Sequence, residues 1–299
     1  MTVAPRVVVV HRRTEYDHMV GRLGTRQQVG FFLERRGRSL DEVERAHQLQ
    51  REALQRVSAQ IPIDWRRALV GRSDLDRWLF GPEDIVVAVG QDGLVANVAK
   101  YLDEQPVIGV DPDPATNPGV LVRHRPTSVA AVLDGLAERG GVAAIEPRTM
   151  VRAVSDDGRE IRALNDLYVG HASHQSARYE IRGPDGAAEL QSSSGVVVGT
   201  GTGSTGWCRS LALERASGLG LPGASDDHLA WFVREAWPSP TSGTDLVEGL
   251  IQPTETLRVE ARRDGLVVFG DGMEHDRIEL VWGQSVVIEA DHRPLRLVV

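Results

Sequence analysis

An α/β domain built on a parallel sheet, followed by a β-rich domain, is the fold class this sequence predicts. Three observations carry the prediction. Short β-branched runs alternate with helical patterns through the first part of the chain. Turn pairs such as Asp157-Gly158 then recur between alternating apolar and polar stretches. The chain, at 299 residues, is long enough for two such bodies. The division is placed at 1–124 and 125–299, in the stretch after the last α/β signal.

Taken in order, Val7 to Val10 is a run that fills a fully buried strand. Ser39 to Glu42, S-L-D-E, reads as a capping box opening a helix whose apolar positions Val43, Ala46, Leu49, Ala53, Leu54 and Val57 keep helical spacing. Ser73 is expected to cap a short helix through Leu79. Ile85 to Val89 is a second buried strand, Val95 to Leu102 a helix and Val107 to Val110 a third strand, which is the βαβ pattern. Ser128 to Arg139 reads as one helix. Beyond it Asp157-Gly158, Pro184-Asp185-Gly186 and Asp264-Gly265 are expected to close hairpins. Trp207 to Glu214 is a helical stretch set directly after the strand Val196 to Val198. No internal repeat or low-complexity segment is visible.

The composition narrows the function. With 25% charged and 41% hydrophobic residues the chain is of the soluble globular kind. Its formal charge of -8 argues against broad binding to nucleic acid or anionic membrane. No apolar run reaches the roughly 20 residues of a membrane helix, and Met1 to Pro5 lacks a signal segment, so a cytoplasmic location is expected. A single cysteine, Cys208, excludes an intramolecular disulfide and a multi-cysteine metal site. Lys100 is the only lysine among 34 basic residues, and no Gly-Lys-Ser/Thr exists, so the P-loop class is excluded.

Three constellations carry chemistry. Gly90-Gln91-Asp92-Gly93 lies between a buried strand and a helix. Glycines there let amides approach a phosphate at the positive end of a helix, and an aspartate at that sheet edge suits a general base or a phosphate-bridging Mg²⁺. A tight turn is an equally good reading of the four residues. The second constellation is Ser193 to Trp207, S-S-G-V-V-V-G-T-G-T-G-S-T-G-W. It satisfies G-x-G-x-x-G, but the hairpins around it make a Rossmann unit a poor fit, and Thr202 stands where a hydrolase elbow needs glycine. What remains is a nest of glycines and hydroxyls at a helix start, fit for an anion or a nucleotide. In the third, Ala163-Leu164-Asn165-Asp166, an amide and a carboxylate interrupt an apolar strand. The pair suits ribose hydroxyls or a base edge; a turn-forming Asn-Asp is the alternative. His171 and His174 read as exposed loop histidines, Cys208 as a packed residue, and Arg12 and Arg13 as arginines at the ligand edge. Trp207 is either core or a stacking platform.

In this order the three segments resemble the NAD kinase family, whose marks are a G-G-D-G turn, an A-L-N-E segment and a T-P-T-G-S-T-A-Y-like loop. The mitochondrial-type branch is the nearest in pattern, through V-V-V-V-H-R-R-T-E-Y-D (7–17), P-V-I-G-V-D-P-D-P (106–114), A-R-Y-E-I (177–181), S-S-G (193–195) and T-G-T-G-S-T-G-W (200–207). The wider superfamily includes diacylglycerol kinases, which share the first motif and the two-domain plan. The resemblance implies that Asp92 orients and deprotonates the 2′-hydroxyl of the adenosine ribose, and that Gly90, Gln91 and Gly93 line the donor phosphates. It implies that Asn165 and Asp166 hold the ribose and nicotinamide part of NAD, with Thr202, Gly203, Thr205, Gly206, Trp207 and Ser210 at the adenosine part. Mg²⁺ with ATP as donor, NAD as acceptor and a homodimer are implied in the same way.

The sequence departs from the family at three places. The second glycine of G-G-D-G is Gln91, the following threonine is Leu94, and the motif glutamate is Asp166. The expected function is phosphoryl transfer from ATP or polyphosphate to NAD(H). A kinase of the same fold acting on another hydroxyl compound, and an NAD(P) binder weakened in turnover by Gln91 and Leu94, are the alternatives.

Overall fold

The computed structural model describes residues 5–116, 119–137 and 143–299. Residues 1–4 and the last two residues of the expected 128–139 helix lie outside the described residues. The chain forms two compact units: residues 1–98, 104–146 and 296–299 in one, and 99–103 and 147–295 in the other.

The first unit opens with β1 (Arg6–His11), whose four valines are all buried. Three helices follow: α1 (Glu15–Leu23), α2 (Arg26–Glu34) and α3 (Leu40–Gln60). Thr14 and Asp17 form a reciprocal capping box on α1, and Thr25 caps α2 through the Gln28 amide. The S-L-D-E segment does start α3 after Ser39, but the Ser39 side chain makes no capping bond. Next come β2 (Arg66–Gly71) and a 3-10 turn over Arg72–Arg77, in which Ser73 is an internal residue and caps nothing. Then β3 (Asp84–Val89), α4 (Asp92–Ala99), β4 (Pro106–Val110), α5 (Val129–Ala137) and β5 (Ile145–Arg148) complete the run.

The expected strands at 7–10, 85–89 and 107–110 are β1, β3 and β4, and they pair in parallel in the order β2-β1-β3-β4. Val7, Val9, Ile85, Val87, Val89, Ile108 and Val110 pack with Ala53 and Val57 of α3 and with Val129 and Leu133 of α5. The intervening residues Val8, Val10, Val86 and Ala88 are buried as well, which is why these strands read as unbroken apolar runs. Because the strands are parallel, Arg12, Gly90 and Asp111 all follow strand ends at the same carboxyl edge, where ligands of such sheets bind.

The second unit contains β6 (Val151–Ser155), β7 (Glu160–Ala163), β8 (Asp166–His171), β9 (Ala177–Arg182), β10 (Ala188–Ser193) and β11 (Gly195–Gly199). A 3-10 turn (Gly203–Thr205) leads into α6 (Trp207–Glu214). The rest is β12 (Leu229–Arg234), β13 (Glu248–Ile251), β14 (Leu257–Ala261), β15 (Leu266–Gly270), β16 (Arg277–Leu280) and β17 (Ser285–Ala290). These strands make two six-stranded sheets, ordered β10-β9-β14-β17-β6-β7 and β13-β12-β11-β8-β15-β16. Alternate residues of both sheets, among them Val151, Tyr179, Ile181, Val196, Val198, Trp231 and Val268, form one core. On the other face of the second sheet, Val197, Ala230 and Phe232 pack against Cys208 and Leu211 of α6.

Asp157-Gly158 and Pro184-Asp185-Gly186 close antiparallel hairpins, as read from the sequence. Asp264-Gly265 does not: β14 and β15 lie in different sheets, so this turn carries the chain from one sheet to the other. Gly265, at φ +91, supplies the left-handed backbone the crossing needs. A second difference concerns the C-terminus. The last strand, β18 (Leu295–Val298), adds in parallel to β4 in the first sheet, because its buried Leu297 and Val298 extend the apolar surface there.

Candidate functional site

In the first unit the Gly90-Gln91-Asp92-Gly93 turn joins β3 to α4. The Gly90 amide donates to the Val110 carbonyl at 3.0 Å, tying the turn to the end of β4. A Cβ at Gly90 would lie 3.0 Å from the Leu94 side chain, which is buried. Leu94 therefore has a packing role in α4. Gly93 is different: nothing lies within 4 Å of where its Cβ would be. Gln91 accepts a hydrogen bond from the Arg12 guanidinium at 2.8 Å. The side chain that replaces a glycine thus brings a cation to the turn. Arg12, Thr14, Gln50, Gly90, Gln91 and Asp111 are among the residues lining a cavity of about 280 Å³ here.

Asp92 is the first residue of α4. Its Oδ2 accepts the amide of Val120 at 2.9 Å, and its Oδ1 those of Leu121 and Val122 at 2.8 and 3.0 Å. That loop is pressed onto β4, since a Cβ at Gly109 would come within 2.1 Å of the Leu121 carbonyl oxygen. Asp111 is buried nearby, and burial, with the fields of Asp113 and Asp92, raises its pKa above the usual carboxylate range.

In the second unit Asn165 stands where the chain leaves β7 in one sheet for β8 in the other, so Asn165 is a turn residue and Asp166 begins a strand. A sheet crossing leaves amides without a ladder partner. Here Asp271 supplies one: Oδ2 accepts the Leu164 amide at 2.8 Å, and Oδ1 accepts those of Asn165 and Asp166 at 2.8 and 3.4 Å. The Asp271 amide in turn donates to the Asp166 carbonyl at 3.0 Å. Burial pushes the Asp166 carboxyl up to about 6 and that of Asp271 up to about 7. Sequence reasoning missed Asp271. The available signal was Phe269-Gly270-Asp271-Gly272, an apolar strand ending in an Asp-Gly pair, which the count of hairpin turns passed over.

The glycine loop is built onto the same turn. Thr200 donates from its hydroxyl to the Leu164 carbonyl at 2.5 Å and from its amide to the Asn165 carbonyl at 2.9 Å. Gly203 has no room for a side chain, because its Cβ would lie 2.1 Å from the Asn165 carbonyl oxygen. Gly201 is equally confined by the Gly223 carbonyl, at 1.6 Å. The Thr202 hydroxyl is buried without a hydrogen-bond partner, a polar atom left for a ligand. Thr205 and Ser210 are exposed, their hydroxyls reaching only the local carbonyls of Thr202 and Gly206. Trp207 stacks on Tyr168, with ring centroids 5.9 Å apart, under the Arg234 guanidinium. Cys208 is a packed thiol whose pKa burial pushes up to about 12.

The structure thus joins two of the three constellations, Asn165-Asp166 and the glycine loop, within one unit. The Gly90–Gly93 turn lies in the other. Lys100, the only lysine, pairs with Asp276 at 2.9 Å. Among the described residues no three metal-ligating side chains come together, and no helix is long and apolar enough to cross a membrane.

No family model matches the chain. In sequence it is similar to the mitochondrial NAD kinase 2 of Rattus norvegicus, 26% identical over 250 residues, covering 68% of this chain and 59% of that protein. The same enzyme of Homo sapiens is 25% identical over 250 residues, covering 68% of this chain and 57% of that protein. The chain therefore spans less than two thirds of the length of these relatives. In structure it is similar to an NAD kinase from Archaeoglobus fulgidus in complex with ATP, with a TM-score of 0.56 and 17% identity over 98% of this chain and 93% of that one. The fold is that of an NAD kinase, and the resemblance to that family read from the motifs is shown.

Proposed function

We propose that the protein is a phosphotransferase that moves the terminal phosphoryl group of ATP, or of polyphosphate, to the 2′-hydroxyl of NAD or NADH. The observation that carries this reading is the single construction of Leu164–Asp166 with the 199–206 loop. Gly203 is forced against the Asn165 carbonyl, and the Thr202 hydroxyl is buried unpartnered beside the same backbone. Such a nest offers amides, a hydroxyl, a carboxamide and a carboxylate to the ribose and phosphate oxygens of a dinucleotide. Exposed Thr205 and Ser210 border the adenosine part, Gly206 starts the helix beside it, and Trp207 with Tyr168 gives a stacked aromatic wall.

Asp92 has the catalytic role in this reading. Three amides hold its carboxylate in one orientation, so it aligns the acceptor hydroxyl and takes its proton late. Phosphoryl transfer asks chiefly for positioning and charge stabilisation. Gly90, Gly93 and the Gln91-bound Arg12 serve the donor phosphates. Mg²⁺ does not find a ready cage, since no three ligating side chains meet among the described residues. A metal would arrive on the donor's own phosphates, the common way Mg²⁺ is held, and no step is assigned to it.

The test is NADP formation from NAD and Mg²⁺-ATP, or polyphosphate, by the purified chain. Absence of product with every donor, together with NAD binding by calorimetry, would replace this reading with that of a non-catalytic dinucleotide binder. A homodimer and a cytoplasmic location belong to the same proposal.

A further inference from the structure

The sheet-crossing segment Leu164–Asp166 and the Gly270–Gly272 segment, which leaves β15 toward its antiparallel neighbour β16, are held together by one side chain, that of Asp271. Three consecutive amides point at its carboxylate, and its own amide returns a bond to the Asp166 carbonyl. The backbone of Asp271 is left-handed, at φ +51, followed by Gly272 at φ +67. Non-glycine residues take that conformation only where the surroundings hold them there. Gly270 is confined as well, since a Cβ there would lie 2.6 Å from that of Ala163. The arrangement is tightly specified around a turn whose two polar side chains face ligand in the reading above.

We propose that Asp271 is a positioning residue for the acceptor site, its carboxylate clamping the amides of Leu164, Asn165 and Asp166 so that the Asn165 and Asp166 side chains are presented to the dinucleotide. This rests on the function proposed above. Asp271 does not touch the ligand. It acts through the turn it holds.

The clamp is strongest when the carboxylate is ionised, because all three partners are N–H donors. The groups that act on Asp271 are Asp166 on β8, which disfavours its ionisation, and Lys100, which favours it. Lys100 is itself paired with Asp276, which also accepts from the Tyr101 hydroxyl at 2.6 Å. Cys208 of α6 lies in the field of Asp166 but stays protonated. With Asp271 at about 7 and Asp166 at about 6, the two carboxyls titrate as a coupled pair around neutrality. The turn is therefore expected to loosen locally, and dinucleotide affinity to weaken, as the pH falls through about 7 and Asp271 takes up its proton, even though relief of the buried charge favours the fold as a whole.

The experiment compares the full chain with Asp271→Asn and Asp271→Glu. Amide hydrogen exchange at Leu164, Asn165 and Asp166 reads the clamp, and calorimetric titration with NAD and, separately, with ATP between pH 5.5 and 8 reads its effect. Asp271→Asn replaces one acceptor oxygen with a donor, so those amides should exchange at least about tenfold faster. NAD should bind about tenfold more weakly, the equivalent of one pKa unit. ATP affinity should stay within about twofold, and the neutral inflection in the NAD profile should vanish. Should Asp271→Asn fail to fold, Asp271→Glu must show the same losses in smaller degree. Wild-type exchange or wild-type NAD affinity in a folded variant overturns the proposal. A wild-type chain that binds no dinucleotide at all refutes the acceptor-site reading instead, and the exchange arm still decides whether the clamp exists.

Discussion

Two turns, one in each unit, are built on the same device. In the first, the carboxylate of Asp92 gathers the amides of Val120, Leu121 and Val122; in the second, that of Asp271 gathers those of Leu164, Asn165 and Asp166. The difference lies in which partner belongs to the motif. At Gly90–Gly93 the aspartate is in the motif and its amides come from a distant loop. At Asn165-Asp166 the amides are in the motif and the aspartate comes from a strand end more than a hundred residues on. Three convergent amides fix a carboxylate in the first case; in the second, a carboxylate fixes three amides. Each device has a second acid in its field, Asp111 beside Asp92 and Asp166 beside Asp271, and at Asp271 burial first, with Asp166 adding to it, pushes the carboxyl up to about 7.

The comparison is broken hardest at Asp92. Asp92→Asn should lower NADP formation by two or more orders of magnitude, within the range attributed to a positioned proton acceptor. It should leave the melting temperature within a few degrees, which a thermal scan on the assayed sample checks. Activity retained by a folded Asp92→Asn would remove the assigned role and leave Asp92 as a structural anchor for 120–122.

Glycine substitutions sharpen the contrast between the units. Gly203→Ala drives a Cβ into the Asn165 carbonyl and should cost about 3 kcal/mol or more in denaturant unfolding. Gly93→Ala meets nothing within 4 Å and should change stability by less than about 1 kcal/mol. Equal losses at both positions would show that the two turns are not constrained differently.

Leu94→Thr tests whether the missing motif threonine is a loss of chemistry. Because Leu94 is buried against Gly90, the change should destabilise by about 2 kcal/mol and leave the NADP-forming rate unimproved. A gain in rate would revive the reading of a catalytically weakened site. A smaller effect is expected from Arg12→Ala, which should raise the KM for ATP a fewfold and leave that for NAD unchanged, since only the donor turn loses a cation.

The acid pair also sets a pH dependence of stability. Both folded-state pKa values lie above those of free aspartate, so the folded state binds the extra protons. Their contribution is fully present below about pH 4 and is lost as the pH rises through about 6 and 7. The melting temperature should decline across that window by this contribution, and Asp271→Asn should flatten the decline. A wild-type decline of the same size in Asp271→Asn would place its source elsewhere.

Much of this was legible in the residues. The valine runs of β1, β3 and β4 announced strands buried on both faces, and the G-Q-D-G segment announced the turn at their carboxyl edge. Those are local signals. The Asn165-Asp166 segment was legible as chemistry and not as geometry, since a sheet crossing and a hairpin use the same turn residues. Asp264-Gly265 misled for that reason, and Asp271 passed unnoticed because a single aspartate after an apolar strand looks like any turn former.

By itself the sequence determined the α/β-then-β order, the glycine turns and the absence of a P-loop, because hydrophobic periodicity and residue type act over a few neighbours. Tertiary structure alone decided that β18 returns to the first sheet, that Gln91 holds Arg12, and that Asp271 lies beneath the Asn165-Asp166 turn. Each of those pairs residues far apart in the chain, and only packing decides which distant donor meets which acceptor.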